Sequence, residues 1–467
     1  MGTITFELKD NSGLDPSKGV VYVAGWINAG ATKIGDSAPV MKVLDESGNF
    51  TAPTGSTLPF HKLSDISQAT LSEATNGNDR LMFVVSTSHP PGLSILSETA
   101  NDPAGTSYTY HVVQMYTQYP YLDAPGIAPV GPYDFVEFGM DAAFDVSAVD
   151  GLCLNLNFTA GGESYGVSND VSRAEIATAW AAFLANQTAI PNASAYSDLL
   201  YDAKLSGSTY SPPMIDDQFF VLSGPNDFLA AITKNYSSAT GHPLESYWTD
   251  TLRSFFKEGN MLSINTSANP AAPNIYFGTC TLQTPASGGA QVLAYSLTNG
   301  SNTYHYFNPL GAEPNSNPNN LQGAQYVFQQ AFSNTLTPGI VDGEAKLIQD
   351  TIWEALCRGV ALDGVEVVCE DAAGNAFSTT AWNDQSKWYG ASAVSHLYAK
   401  FLHTSDKNGK DSRVPANNSK PIMLGGAAYG FSMDETPLGP YSGTQVPSKT
   451  TSNISSGTVT VNVGKWD

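Results

Sequence analysis

The C-terminal run Thr458-Val-Thr-Val-Asn-Val463 alternates polar and apolar side chains at period two and reads as a half-buried strand. A terminal strand carries a row of backbone donors and acceptors that it cannot satisfy by itself. Some sheet has to take it in, and the strand-rich part of the chain lies at the opposite end. Within residues 1–170, Ile4 to Leu8, Val20 to Trp26, Leu81 to Val85, Tyr108 to Met115, Phe135 to Met140 and Leu152 to Phe158 are short β-branched or aromatic runs. Clusters of Gly, Pro, Asn and Asp separate them, as in a sandwich or barrel. Chain termini are often close in space, so both ends are expected in one β domain, with the intervening segment inserted into it.

That segment has a different period. Ser172-Arg-Ala-Glu175 is a capping box, which opens a helix carrying Ile176, Trp180, Phe183 and Leu184 on one face and ends before Pro191. Further helical stripes run through Tyr247, Trp248, Leu252, Phe255 and Phe256, through Leu347, Ile348, Ile352, Trp353 and Leu356, and through Ala393, His396, Leu397 and Phe401. Met261 to Asn265, Asn274 to Gly278, Ala290 to Leu297 and Thr303 to Phe307 read as strands between them, which makes this part mixed α/β. The expected map is a β-sandwich or barrel domain of residues 1–171 and 405–467, with 172–404 as the mixed α/β domain. The polar stretch 404–420 is the linker candidate.

The chemistry is concentrated between Tyr133 and Leu156. Two apolar runs, Phe135 to Met140 and Val149 to Leu156, each hold a carboxylate among hydrophobic neighbours: Glu137 between Val136 and Phe138, and Asp150 after Val149. Desolvating a carboxylate is costly, so one placed in such a run usually has a partner or a task. Neighbouring strands lie about 5 Å apart, which would set the two acids roughly 5–10 Å apart, the range in which carboxyl pairs cleave glycosidic bonds.

Val136-Glu137-Phe138 followed by Asp145-Val-Ser147-Ala-Val149-Asp150 resembles the segment that carries the catalytic acids in the β-1,3-glucanases of glycoside hydrolase family 64. Weaker similarities run in order along the chain: Val21-Tyr-Val-Ala-Gly25, Phe219-Phe-Val-Leu-Ser223, Leu356-Cys-Arg-Gly359 and Tyr429-Gly-Phe-Ser-Met-Asp434-Glu435. The resemblance implies a two-lobed, β-rich fold, a thaumatin-like sandwich or barrel with an inserted mixed α/β domain across a wide groove. It implies Glu137 as general acid, its pKa raised by apolar neighbours, and Asp150 as the ionised general base of an inverting reaction. It further implies sugar contacts from Tyr133, from the positions of Gly139 and Asp141, and from the late turn Asp434-Glu435. The family commonly has a Thr-x-Asn pair where this chain has Gly139 and Asp141, and an Asp-Asp where it has Asp434-Glu435, so subsite chemistry does not carry over. The implied partner is β-1,3-glucan, the expected state a secreted monomer, and no cofactor or metal is required. A glucan-binding protein that does not cleave is the alternative.

Composition agrees with that reading. Charged residues make up only 14%, and 21 basic against 43 acidic residues give a net charge of −22. This opposes nucleic-acid and anionic-membrane partners but not a neutral polysaccharide, and no apolar run reaches the roughly 18 residues of a membrane span. The start, Met-Gly-Thr-Ile-Thr-Phe, has no signal-peptide pattern; secretion is expected with the signal absent from this sequence. Cys153, Cys280, Cys357 and Cys369 allow three pairings, and buried thiols or one or two disulfides both remain open. Gly162-Glu-Ser164-Tyr-Gly166 matches a nucleophile elbow, which would make an esterase using Ser164 with His242, His305 or His396. The helix signal comes eight residues too late for it. Asp406 to Asp411 reads as a solvated turn rather than a calcium loop, Asp216-Asp217 has no assigned role, and His89 is a loop residue. Trp26, Tyr119, Tyr121 and Tyr133 are candidates for stacking on sugars.

Overall fold

The computed structural model describes the chain except residues 1, 31–38, 74, 76–78, 102–104, 117–126, 128, 140–143, 202–214, 216–220, 235, 237–238, 268–271, 313–322, 330–336, 338–342, 364–381, 383–385 and 425–453. Its first sheet takes in both chain ends. The order is β22 (Met423–Leu424), β15 (Glu163–Val167), β14 (Leu156–Ala160), β23 (Gly457–Val463), β1 (Ile4–Asp10) and β7 (Gln68–Leu71). The terminal strand β23 runs parallel to β1, with Leu8 beside Val461, and antiparallel to β14, with Phe158 beside Val461. Its apolar positions Val459, Val461 and Val463 face the core while the alternate threonines stay outside it. The period-two pattern thus becomes a central strand with a partner on each side.

A second sheet packs on the first. It comprises β12 (Asp145–Val146), β11 (Tyr133–Phe138), β8 (Asp79–Ser86), β2 (Val20–Ala29), β3 (Val40–Leu44) and β4 (Phe50–Thr51), with β6 (His61–Lys62) also on β2. Its strands are apolar on both faces because both faces are covered. Val21, Val23 and Ile27, Leu81, Phe83 and Val85, and Val136 and Phe138 enter the core shared with the first sheet, where Phe6 meets Phe138 at 4.8 Å between ring centres. The alternate residues Tyr22, Ala24 and Trp26, Met82 and Val84, and Tyr133 and Phe135 enter a second core. That core is roofed by a small sheet of β10 (Ser107–Val113), β9 (Leu93–Asn101) and β5 (Thr57–Leu58).

One expected strand is broken in two. The run Leu152 to Phe158 separates into β13 (Gly151–Leu152) and β14, and β13 joins β17 (Val221–Ser223) and β16 (Leu200–Tyr201) in another sheet. The cause is Asp134, whose Oδ2 accepts the backbone N–H groups of Cys153 (2.9 Å) and Leu154 (2.6 Å). Those donors are thereby withdrawn from any ladder, and the chain bends where they bind.

The middle of the chain mixes helices and strands. The capping box forms as read: Ser172 Oγ accepts from Glu175 N and Glu175 Oε2 accepts from Ser172 N, starting α1 (Arg173–Ala185). The tail secures this helix, since the N–H groups of Arg173 and Ala174 donate to the carbonyls of Lys465 and Trp466, and the Arg173 guanidinium lies 4.3 Å from the Trp466 ring centre. There follow α2 (Pro225–Ile232), α3 (Thr249–Phe255), the sheet β18 (Met261–Asn265), β19 (Ile275–Gln283), β20 (Val292–Thr298) and β21 (Thr303–Phe307), then α4 (Tyr326–Gln329), α5 (Glu344–Cys357) and α6 (Leu397–Thr404). The aromatic stripes are core: Trp180, Trp248, Phe255, Phe256, Trp353 and Phe401 are all buried. Helix α6 begins at Leu397, because the ring of His396 accepts the Ala399 N–H and caps it.

Candidate active site

Glu137 lies one residue before the end of β11, on the face that belongs to the second core. It is not enclosed by apolar groups, as the sequence suggested. About a quarter of its side chain is exposed (26%), and Arg80, directly opposite on β8, donates from Nε at 2.7 Å and approaches with a second nitrogen at 2.5 Å. Both contacts fall on Oε1. Arg80 is itself held over the Phe135 ring at 4.5 Å. On the other side of Glu137 the cross-strand residue is Asp145 of β12, so the two carboxyls share one face of one ladder. Asp145 is buried, and its Oδ1 has no hydrogen-bond partner among the described residues. Burial pushes its carboxyl well above the usual range, the neighbouring Glu137 charge adds to this, and Arg80 opposes it.

Asp150 stands elsewhere. It falls in a bend just before β13 and is exposed, rather than starting a strand beside β11. Ser147 N donates to Phe135 O, so after β12 the chain continues towards the Tyr133 end of the ribbon, and the Tyr133 hydroxyl feels the Asp150 charge. Glu137 and Asp150 are therefore set off along the ribbon by the four residue steps from Tyr133 to Glu137, about 13 Å of strand. The direct neighbour of Asp150 is Asp227, in the first turn of α2. Burial, then the Asp150 charge and a side-chain hydrogen bond to Asp150, push the Asp227 carboxyl up to about 9. The backbone reinforces this meeting, because Asp150 O accepts the N–H of Gly224, the residue that precedes α2. A Cβ on Gly224 would lie 2.4 Å from Val149 O, so only glycine permits this approach.

The structure thus brings Glu137 together with Asp145 and Arg80, and Asp150 together with Asp227, and sequence reasoning gave no role to Asp145, Arg80 or Asp227. Arg80 had one visible signal, a lone cation ahead of an unbroken apolar run. Asp227 had none beyond its place after Val221-Leu-Ser223.

Other candidates fall in different places. Tyr133 is packed into the second core and its hydroxyl donates to Tyr116 O at 3.1 Å, which leaves no face for a sugar. Trp26 is also buried in that core. Gly139 is buried directly after β11, whereas Asp141, Asp434, Glu435, Tyr119, Tyr121, Asp216 and Asp217 lie outside the described residues. Ser164 is a strand residue on β15 bonded to Thr159 Oγ1 at 2.8 Å, and α1 begins only at Arg173, so the elbow geometry is missing. His242 pairs with Asp198, His305 with Ser296, and His396 is a buried helix cap. Cys153, Cys280 and Cys357 are buried free thiols, while Cys369 lies outside the described residues. Asp406 is buried, not solvated; its Oδ1 accepts the N–H groups of Asn408 and Lys410 and closes the turn. Among the described residues no cluster of His, Cys, Asp and Glu is placed to hold a metal, and no helix is long and apolar enough to cross a membrane.

Solved structures that this chain resembles include glycoside hydrolases of family 64. A β-1,3-glucanase domain of that family from Clostridium beijerinckii superposes with a TM-score of 0.52 at 15% identity, over 99% of this chain and 98% of that one. A family 64 laminaripentaose-producing β-1,3-glucanase from Paenibacillus barengoltzii, complexed with laminarihexaose, gives a TM-score of 0.46 at 14% identity, over 99% of this chain and 75% of its own. The β-rich fold, with several sheets and few helices, is the one seen in the Clostridium domain. No protein-family model and no curated protein matches the sequence.

Proposed function

We propose that the chain hydrolyses β-1,3-glucan by direct displacement, with Glu137 as general acid and Asp150 as general base. The observation that carries this reading is the surroundings of Glu137. It is a partly exposed carboxyl on a rigid strand, with Oε1 held by Arg80 and a second carboxyl beside it, in a fold shared with a β-1,3-glucanase domain. Arg80 fixes the orientation of the acid, which leaves Oε2 as the atom to protonate the glycosidic oxygen. Asp150, exposed at the other end of the ribbon, activates a water on the opposite face of the sugar. The separation along the ribbon exceeds the about 5–5.5 Å of retaining carboxyl pairs and lies nearer the about 6.5–9.5 Å of inverting ones. In this reading the β lobe of 1–171 and 405–467 is thaumatin-like, the 172–404 lobe forms the far wall of the groove, and the protein acts outside the cell as a monomer.

The test is incubation with linear β-1,3-glucan followed by separation of products. Oligosaccharides of inverted anomeric configuration are expected, and Glu137→Gln or Asp150→Asn should each lower the rate at least about a hundredfold with the fold intact. Binding without products would favour a non-catalytic glucan-binding protein.

A further inference from the structure

Glu137 presents a difficulty as an acid. Arg80 occupies its Oε1, and an acid catalyst has to be supplied with a proton in every turnover. The neighbour that resolves this is Asp145. It faces Glu137 directly across the antiparallel ladder, where opposed Cβ atoms lie about 4.5–5.5 Å apart. That is close enough for two carboxyls to share a proton directly or through one water. Asp145 is 7% exposed, and its Oδ1 is buried without a partner among the described residues. A buried, unpartnered carboxylate oxygen is costly, and a proton on that carboxyl removes the cost. With one proton, the trio Arg80, Glu137 and Asp145 is electrically neutral.

We propose that Asp145 is a positioning residue that shares one proton with Glu137 and passes it to Glu137 for each transfer to the leaving sugar. This rests on the reading of Glu137 as general acid. In the step itself the Glu137 O–H proton passes to the glycosidic oxygen as the C–O bond breaks, and the bonding pair stays with that oxygen. Both carboxyls are then ionised, and one proton taken up from solvent by Asp145 restores the shared state. The proton removed from the attacking water leaves through Asp150, so one proton enters and one leaves per bond cleaved.

Among the described residues, the charged groups that face Asp145 are Glu137 from β11 and Arg80 from β8. From β15, Gly166 meets the Val146 side chain, on the reverse side of the strand. Burial and the Glu137 charge both favour the protonated form of Asp145, in agreement with the proposal.

Asp145→Asn tests it, with two readouts. The alkaline limb of the pH profile of kcat/KM on β-1,3-glucan should move down by about one unit and kcat near neutrality should fall about tenfold, with KM within about twofold of the parent. Infrared difference spectra of parent against variant at pH 7 should show the loss of one protonated-carboxyl band. An unmoved pH limb in a folded variant, or no lost band, overturns the proposal. Should the parent cleave no glucan, the functional reading fails by itself and the infrared comparison still decides whether the proton is held. If Asp145→Asn does not fold, Glu137→Gln serves instead. Removal of the neighbouring charge should lower the midpoint at which the Asp145 band disappears by about one pH unit, and an unchanged midpoint refutes the sharing.

Discussion

Asp134 makes the most quantitative claim. It is 2% exposed, accepts two backbone N–H groups through one oxygen, and has its carboxyl pushed up to about 7 by burial, against the opposing pull of those two bonds and of Arg173. An unfolded aspartate titrates near 3.8. The folded chain therefore holds a proton that the unfolded chain has lost, and the associated stability is fully present below pH 3.8 and disappears as the pH rises through about 7. Between pH 5 and pH 8 linkage removes about 2.5 kcal/mol, from ~1.4 kcal/mol per unit of separation. At ~2.1 cal/mol/K per residue the unfolding entropy of 467 residues is ~1 kcal/mol/K, so the fall in Tm is about 2–3 °C if the chain melts as one unit. Asp134→Asn keeps an oxygen for the Cys153 and Leu154 amides but has nothing to titrate. Thermal melts followed by circular dichroism at pH 5 and pH 8, at fixed salt, should show the parent losing about 2–3 °C more than the variant. Equal losses would mean that Asp134 titrates alike in both states, and the argument from burial would fail.

The remaining predictions are simpler. His396 has its pKa driven down to about 3 by burial, from 6.5 in the open chain. Stability should thus drop as the pH falls from about 6.5 towards 3, where the unfolded state takes up the proton first, and His396→Asn, which retains a cap acceptor, should flatten that acid limb in denaturant titrations. Ser172→Ala removes one half of the capping box and should cost about 1 kcal/mol in urea unfolding. Val461→Ala, fully buried between β1 and β14, should cost about 2 kcal/mol by the same assay, and deletion of 456–467 should abolish cooperative melting of the β sheets because β1 and β14 both lose a partner. Arg80→Met should lower glucan hydrolysis while leaving Tm within a few degrees, since the ion pair to Glu137 is partly solvated.

Features set by neighbours in sequence were legible from the sequence alone. The capping box needs only residues 172 to 175, and the alternation of residues 458 to 463 needs only a pleat; both appear where they were read. The β-branched and aromatic runs of β2 and β8 were legible as strands, and Glu137 stood out because a carboxylate interrupts such a run. What joins distant segments had to wait for the tertiary structure. Arg80 and Glu137 are 57 positions apart and meet only because β8 and β11 pair in one register; a shift of one residue would turn Glu137 into the inner core. Asp150 looked like a strand residue because Val149, Leu152, Cys153, Leu154 and Leu156 make the run from Val149 to Leu156 mostly apolar. Asp134, from another strand, takes the amides of Cys153 and Leu154, bends the run and delivers Asp150 to Asp227. Local propensity and periodicity select elements, but which carboxyls share a proton depends on strand register and on side-chain bonds between segments that the linear pattern does not encode.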